Sequence, residues 1–489
     1  MALDLKRLPP RARSWNTALA ACPGDISIEV PPEDIQGTIP ETLRGGRLWS
    51  NGPGWNIIGE RVVHPFDGHG YVRRYQLTAE GGLRLDARFV RTAAYADEAD
   101  KQRFVHRGLA TNPSDHFWKN LRRTIPRNVA NTTVYPWAGR LLVGWEAGEP
   151  HALDPETLET IGPHTFGGLV DGEATLAHMH HDHTRGRLIL CGIAAGRTTA
   201  VTFREIDKDE SLIQARQGTL PGMAFAHDFT FSDRWYILGG NPLALRPLEA
   251  AKMLVGAGTL LGAVKPDFSK PGELILVPRD EQGEARRVRL PEPSLVVHFA
   301  NAFEEDDGTV IVDACVFHRF DFGEEFGYAG PNQPFDPSLP DARGAQRLYR
   351  ITVPPDHDEA TWEVLAPHGI DFPRIHPHHE GQPTAVMVGA CRADTRYSDP
   401  FDSIIRVDLG AKRQQPALWT APENVFVGEP ILVPGEPDHI VAMLSDGLRD
   451  RSTLVIFEAD ALARGPVAQV HLPLMPVAFH GDWQAPSDR

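Results

Sequence analysis

Short apolar or alternating runs, each closed by a turn, recur along almost the whole chain and leave little room for long helices. GRLLVGWEAG, GRLILCGI, RWYILGG, GELILVP, GTVIVDACVF, AVMVGACR, HIVAMLSDG and STLVIFEAD each have the length and β-branched content of a strand. EEDDGT, HTRGR, TAEGGL and WAGR are turn sequences. Gly and Pro make up about 18% of the 489 residues, against roughly 12% in average usage. They are spread along the chain, as many turns require. The pattern predicts an all-β protein of many strands. At this length the usual solutions are several sandwiches or a propeller. A seven-bladed propeller would allow about 70 residues per blade, enough for long loops on one face. No repeat of the WD or kelch kind chooses between them.

Composition narrows the function classes. Hydrophobic residues at 41% and charged residues at 23% are ordinary for a globular protein. A formal charge of −16 speaks against nucleic acid as the main partner, since phosphate binding needs a basic surface. It fits a neutral or apolar substrate. The four cysteines, Cys22, Cys191, Cys315 and Cys391, form no CxxC pair and are expected as reduced thiols in a cytoplasmic protein. MALDLKRLPPRAR has no apolar core of a secretory signal, and no run of 18 apolar residues predicts a membrane-spanning helix. One segment stands apart. Residues 243–264, LALRPLEAAKMLVGAGTLLGAV, are apolar and helix-capable. They predict either a buried helix covering one end of the fold or an exposed patch that dips into a membrane and collects lipophilic substrate.

Four histidines sit in separate short phrases: His178 in AHMHHDHTRGR, His227 in AHDFTFSDRWY, His298 in HFANAFEE and His480 in FHGDW. They lie 49, 71 and 182 residues apart, unlike a zinc finger or an HExxH helix. Such spacing suits a closed scaffold that brings distant segments to one axis. Four neutral imidazoles without a carboxylate point to iron. The cluster His178, His180, His181, Asp182, His183 also fits H-x-H-x-D-H, the zinc motif of metallo-β-lactamase-like hydrolases. That motif enters a helix. Here TRGR leads at once into LILCGI, so the stretch predicts strand, tight turn, strand. His180, His181 and His183 then belong to a His-rich turn without a role.

Further phrases share these neighbourhoods. IQGTIPETLRGGRLWSNGPG, HPFDGHGYVRRY and NTTVYPWAGRLLVGWEAGEPHALDPETLETIG follow one another before the first histidine phrase. With the histidine phrases, from about residue 35 to 484, the chain resembles the carotenoid cleavage oxygenases, non-haem iron(II) enzymes. His69 stands where that family's FDGDG turn has Asp, and Met179 where AHP has Pro.

The resemblance implies one domain over residues 1–489, a seven-bladed β-propeller with iron on its axis and long loops plus short helices capping one face. It implies that His178, His227, His298 and His480 bind Fe(2+). Glu146 in WEAG, Asp371 in DFPRI and Glu429 in VGEP match the acids behind the ligands, Glu146 to His227, Asp371 to His298 and Glu429 to His480. His178 would have none. Asp371 replaces the usual Glu and is one methylene shorter, which implies a small backbone shift or a bridging water. Thr132 in ANTTV matches the residue whose methyl crowds the oxygen site while its hydroxyl bonds the backbone. The implied reaction is dioxygenase cleavage of a conjugated C=C bond to two carbonyl products, with O2 as co-substrate and no catalytic side chain beyond the metal centre. The implied substrate is an apocarotenoid or another lipophilic polyene, taken up by a cytoplasmic protein that touches membranes peripherally. A stilbene or lignostilbene is the alternative, with Tyr95 and the Arg127–Asn128 stretch where phenol-binding groups would lie. A non-enzymatic carotenoid or retinoid binder and an isomerase on the same scaffold are the other readings.

Overall fold

The computed structural model describes residues 5–121, 127–194, 196, 198–220, 222–279, 283–323, 327, 333–337, 346–394, 400–410 and 415–486. Its strands form a seven-bladed β-propeller. Blade 1 runs from Thr133–Trp137 outward to Thr160–Pro163, blade 2 from His180–Asp182 to Leu212–Leu220, and blade 3 from Phe229–Phe231 to Arg286–Arg289. Blade 4 runs from Leu295–Glu304 to Thr361–Val364 and blade 5 from Ile370–Ile375 to Ala417–Thr420. In blade 6 the inner edge is broken into Phe426–Val427 and Ile431–Val433, both paired with His439–Asp446. All these ladders are antiparallel, so each blade is a meander, with long excursions between adjacent strands in blades 3 and 4.

Blade 7 closes the ring. Its inner strand His480–Gln484 comes from the end of the chain and pairs with Arg47–Asn51 from the beginning, Asn51 opposite His480. Gln36–Gly37 is likewise added to the outer strand Ala468–Pro473 of blade 6. Two edges are thus paired across opposite ends of the chain.

The apolar cores lie between blades. Trp49 and Val72 meet Val134 and Leu141 across blades 7 and 1. Leu142 meets Leu188 across blades 1 and 2. Phe203 meets Phe229 across blades 2 and 3, and Ile237 meets Val312 across blades 3 and 4. Cys315 meets Met387 across blades 4 and 5, Val388 meets Ile440 across blades 5 and 6, and Leu454 meets Leu85 across blades 6 and 7. The cycle of cores is complete, which is why strands alternating in sequence are buried on both faces here. Each buried Leu, Ile or Phe contributes about 1.5–3 kcal/mol relative to exposure.

Segment 243–264 is not buried. It forms the helices Pro247–Leu254 and Leu260–Ala263 on an excursion of blade 3. Leu248 and Leu254 are 68% and 72% exposed. Leu261 anchors the excursion against Leu109, Val129 and Trp145. Three of the four free cysteines are buried and Cys22 is exposed. Among the described residues no helix is long and apolar enough to cross a membrane.

Candidate metal centre

Every inner strand enters the axis from the same end, and the singled-out residues sit at those entries. Thr132 immediately precedes Thr133–Trp137, His178 and His227 lie two residues before their strands, and His480 opens its own. His298 and Asp371 lie within theirs beside β-bulges, and Glu429 occupies the break in blade 6. Bulges re-aim side chains at strand ends. Here they turn His298 and Asp371 toward the axis.

The structure brings the four phrase histidines together. Their candidate ligand atoms all lie within 4.8 Å of one another. His227 Nε2 and His298 Nε2 are 3.0 Å apart. Ring centroids are 4.5 Å apart for His178 and His480, and 6.4 Å for His227 and His480. His178, His298 and His480 are buried, and His227 is partly so.

A carboxylate stands behind three of the rings. His298 Nδ1 donates to Asp371 Oδ1 at 2.6 Å, and His480 Nδ1 to Glu429 Oε1 at 3.1 Å. Glu146 Oε1 lies 2.8 Å from His227 Nδ1, out of line with the ring N–H. The Asp371 contact is direct. Its strand bulges between Asp371 and Arg374, and Phe372 adopts a left-handed φ of 52° that only a constrained site holds in a bulky residue. The Cys315 thiol lies cross-strand from His298, and burial, with the Asp371 charge, pushes that thiol up so that it keeps its proton. Glu429 further accepts from the Gly481 amide at 2.6 Å. Burial would raise Glu429, but Arg374 and His480 outweigh it and hold it below the usual carboxylate range.

This pattern puts protons on Nδ1 and leaves lone pairs on Nε2. Two lone pairs then face each other at 3.0 Å between His227 and His298. His178 Nε2 is buried with no hydrogen-bond partner. A shared proton would relieve the first contact but not the second. A cation would satisfy all four. The 3.0 Å spacing matches adjacent ligands at a right angle for metal–nitrogen bonds of about 2.1 Å. The residues present therefore fit a metal held by imidazoles. Burial, with the neighbouring His480, His227 and His298, pushes His178 well below its ordinary value, so it stays neutral.

Three residues escaped the sequence analysis. His180 is not an idle turn residue: its Nε2 bonds Asp228 Oδ1 at 2.9 Å, and its Nδ1 bonds Glu380. Burial would lower His180, but Glu380 and Asp228 push it up to about 10. Asp228 also accepts from the Phe229 and Phe299 amides and lies 3.6 Å from His178 Nδ1, beyond a direct hydrogen bond. It braces blades 2, 3 and 4 around the axis. The available signal was adjacency, since Asp228 follows His227 in AHDF and Glu380 closes HPHHE. Thr132 also differs in one detail. Its hydroxyl donates to the Asn131 side chain at 3.2 Å rather than to the backbone. The substituted His69 is fully buried against Glu98 and Arg127; burial and Arg127 push it down to about 4.

The hydrolase motif is taken apart by the strand. His178 and His180 face the axis, Asp182 binds Arg279, and the turn leads into Arg187–Ala194 as predicted.

An apolar cavity adjoins the histidines. Trp15, Pro65, Phe372, Phe401, Val477 and Phe479 line it. The Phe372 ring is 5.5 Å from His298 and 5.2 Å from His480. On another side Phe225 stacks toward His227 at 6.2 Å.

Known proteins give the same picture. A family model described as retinal pigment epithelial membrane protein matches residues 21–485. The chain is 32% identical to apocarotenoid-15,15'-oxygenase of Synechocystis over 92% of each sequence. It is 30% identical to the chloroplastic carotenoid cleavage dioxygenase 7 of Oryza sativa subsp. japonica, over 93% of this chain and 88% of the relative. The solved structure of cobalt-substituted Synechocystis apocarotenoid oxygenase superposes with a TM-score of 0.87 at 29% identity, covering 97% of this chain and 99% of that one.

Proposed function

The chain belongs to the retinal pigment epithelial membrane protein family, the carotenoid cleavage oxygenases, and on that premise we propose that it is an iron(II)-dependent dioxygenase of apocarotenoids. It cleaves one conjugated double bond to two carbonyl products. The observation that carries this reading is the convergence of His178, His227, His298 and His480, backed by carboxylates, beside an aromatic cavity. Iron held there supplies O2 activation. The remaining work is the protein's. Asp371 and Glu429 hold their imidazoles in one tautomer and orientation, and the Glu146 carboxylate faces His227 Nδ1. Thr132 narrows the oxygen side of the centre. Phe372 and its aromatic neighbours hold a flat polyene and exclude water.

A stilbene substrate is less supported. Arg127 is buried and spent on Glu98 and the Asp67 carbonyl. Tyr95 is packed edge-on against Trp55 and stacked on Phe89 at 5.3 Å. The pair is not presented to a phenol. The deciding experiment is product analysis by mass spectrometry over β-apo-8′-carotenal, a full-length carotene, resveratrol and a lignostilbene, with O2 uptake recorded. Two carbonyl fragments from the apocarotenal, with O2 consumed, are expected. Tight pigment binding with no O2 consumed would favour the non-enzymatic binder and defeat the proposal.

Segment 243–264 supports peripheral membrane contact. A second exposed apolar stretch lies against it: Phe117, Trp118 and Leu121. Asn120 Nδ2 donates to the Gly256 carbonyl at 2.8 Å, and Arg107 to the Met253 and Gly258 carbonyls. The two stretches therefore form one patch, which a monomer in water leaves exposed only at a cost. It carries Lys252 paired to Glu249, with exposed Arg246 and Lys119 beside them, so apolar burial leads and anionic headgroups add a smaller term. In flotation with phosphatidylcholine vesicles, the wild type is expected to float, and somewhat more when anionic lipid is included. Leu248→Ser with Leu254→Ser should stay in the soluble fraction, with cleavage of detergent-solubilised substrate unchanged. Equal flotation of the variant would remove the membrane role.

A further inference from the structure

A second histidine cluster occupies the far end of the axis. The inner strands of blades 2 and 5 pass the metal centre and continue into His181-Asp182-His183 and His376-Pro377-His378-His379. These blades are separated by two others on one side of the ring and three on the other, so their far ends meet across the axis. The His183 ring lies 3.8 Å from that of His181 and 4.4 Å from that of His378. The His376 ring lies 5.5 Å from His378 and 4.6 Å from His379. At the metal centre the corresponding spacings begin at 4.5 Å and reach 6.4 Å. The lower rings are thus as closely spaced as those of the four axial histidines.

The local backbone explains the arrangement. His181 lies in the strand His180–Asp182 and His183 opens the turn after it, their rings together on the face opposite His178 and His180. Pro377 and the 3-10 turn Pro377–His379 fold the blade 5 segment back, with the His378 amide bonded to His376 Nδ1 at 3.2 Å. Trp137 packs edge-on against His181 at 5.2 Å and backs the cluster from blade 1. His378 and His379 are exposed; His181, His183 and His376 are half-buried. Among the described residues only the axial four already converge on one point. The exposed His378 ring reaches the others by a change of rotamer.

We propose that His181, His183 and His378 form a second metal site, with His376 adjoining, that takes a divalent ion of the borderline class, Zn2+ foremost. Imidazole sets without thiolate suit Zn2+, Cu2+ and Ni2+. The site joins one blade to another across the far mouth of the axis. It does not depend on which metal the upper centre holds. An ion bound there stabilises the folded ring, because the unfolded chain has no such site.

The test uses full-length protein with its axial centre loaded with iron(II) under anaerobic conditions. Titration with Zn2+, followed by calorimetry and by metal analysis after desalting, is expected to show about one further equivalent and a raised melting temperature. His183→Ala with His378→Ala should keep its iron and its circular dichroism. It should bind the added Zn2+ at least tenfold more weakly and lose the thermal shift. Zinc X-ray absorption on the wild type should show imidazole scattering from three or more rings. No further equivalent in the wild type, zinc entering only by displacing iron, or equal binding by the double variant would each overturn the site.

Discussion

Replacing His298 with Ala is expected to empty the axial centre of iron and stop double-bond cleavage. His298 is buried, stands 3.0 Å from His227 Nε2, and is oriented by Asp371. Its contact with Asp371 is the shortest of the three imidazole–carboxylate contacts, 2.6 Å against 2.8 and 3.1 Å. Removing it leaves three imidazoles and a cavity. The loss of cleavage should be on the order of 10^3-fold or more, because the reaction is the metal's. Iron by mass spectrometry should fall to background while circular dichroism stays that of the wild type. Asp371→Asn separates orientation from ligation. It keeps an acceptor near Nδ1 but removes the charge, so iron affinity should fall about 10–100-fold in a chelator competition, with partial activity. An alanine variant that keeps stoichiometric iron and cleaves normally would show that the reaction centre lies elsewhere.

The largest stability effect is expected at Arg279. Its side chain is fully buried between blades 2 and 3. It donates to Glu205 at 2.6 and 2.9 Å, to Asp182 at 2.7 Å and to the Ser232 carbonyl at 2.7 Å. Arg187 and the Tyr236 hydroxyl complete the shell of Glu205. Arg279→Met removes the buried cation that Glu205 and Asp182 share, which costs about 3–5 kcal/mol. A lower urea midpoint reads it. Arg234→Met, which breaks an exposed pair with Glu304, should cost less than about 1 kcal/mol.

The pH dependence carries a sign. Burial would raise Glu205, but Arg279, Arg187 and Tyr236 hold it below the usual range. A depressed carboxylate contributes stability that is full above its unfolded value, about 4.3, and is lost as pH falls through the folded value. In Arg279→Met burial dominates and the folded value rises. That variant should gain stability relative to the wild type as pH falls from neutrality toward the carboxylate range. Parallel curves for the two proteins would show that Glu205 is not the partner that matters.

Much of the centre was legible because its chemistry is local. A histidine or an acid inside a short phrase can be matched without knowing what it touches, and strand and turn follow from period-2 burial and from Gly and Asp at turns. Asp371 was legible as the weak point, yet its length proved no obstacle: a bulge fits it to His298 directly, beside the buried Cys315 thiol. Neither the bulge nor the thiol has a sequence signal of its own. Segment 243–264 was legible as apolar, but only folding placed Phe117 and Trp118 beside it.

The sequence by itself determined the all-β class, the four histidines and the three acids near them. Tertiary structure decided which ring nitrogen faces inward and which partners brace it, because those contacts join residues 48 to 200 positions apart. It also split the run from His178 to His183 between the candidate metal centre, a buried brace and the far mouth of the axis. Strand alternation sets two faces for such a run. What each face meets depends on the blades that ring closure places across the axis, and no stretch of neighbouring residues encodes that.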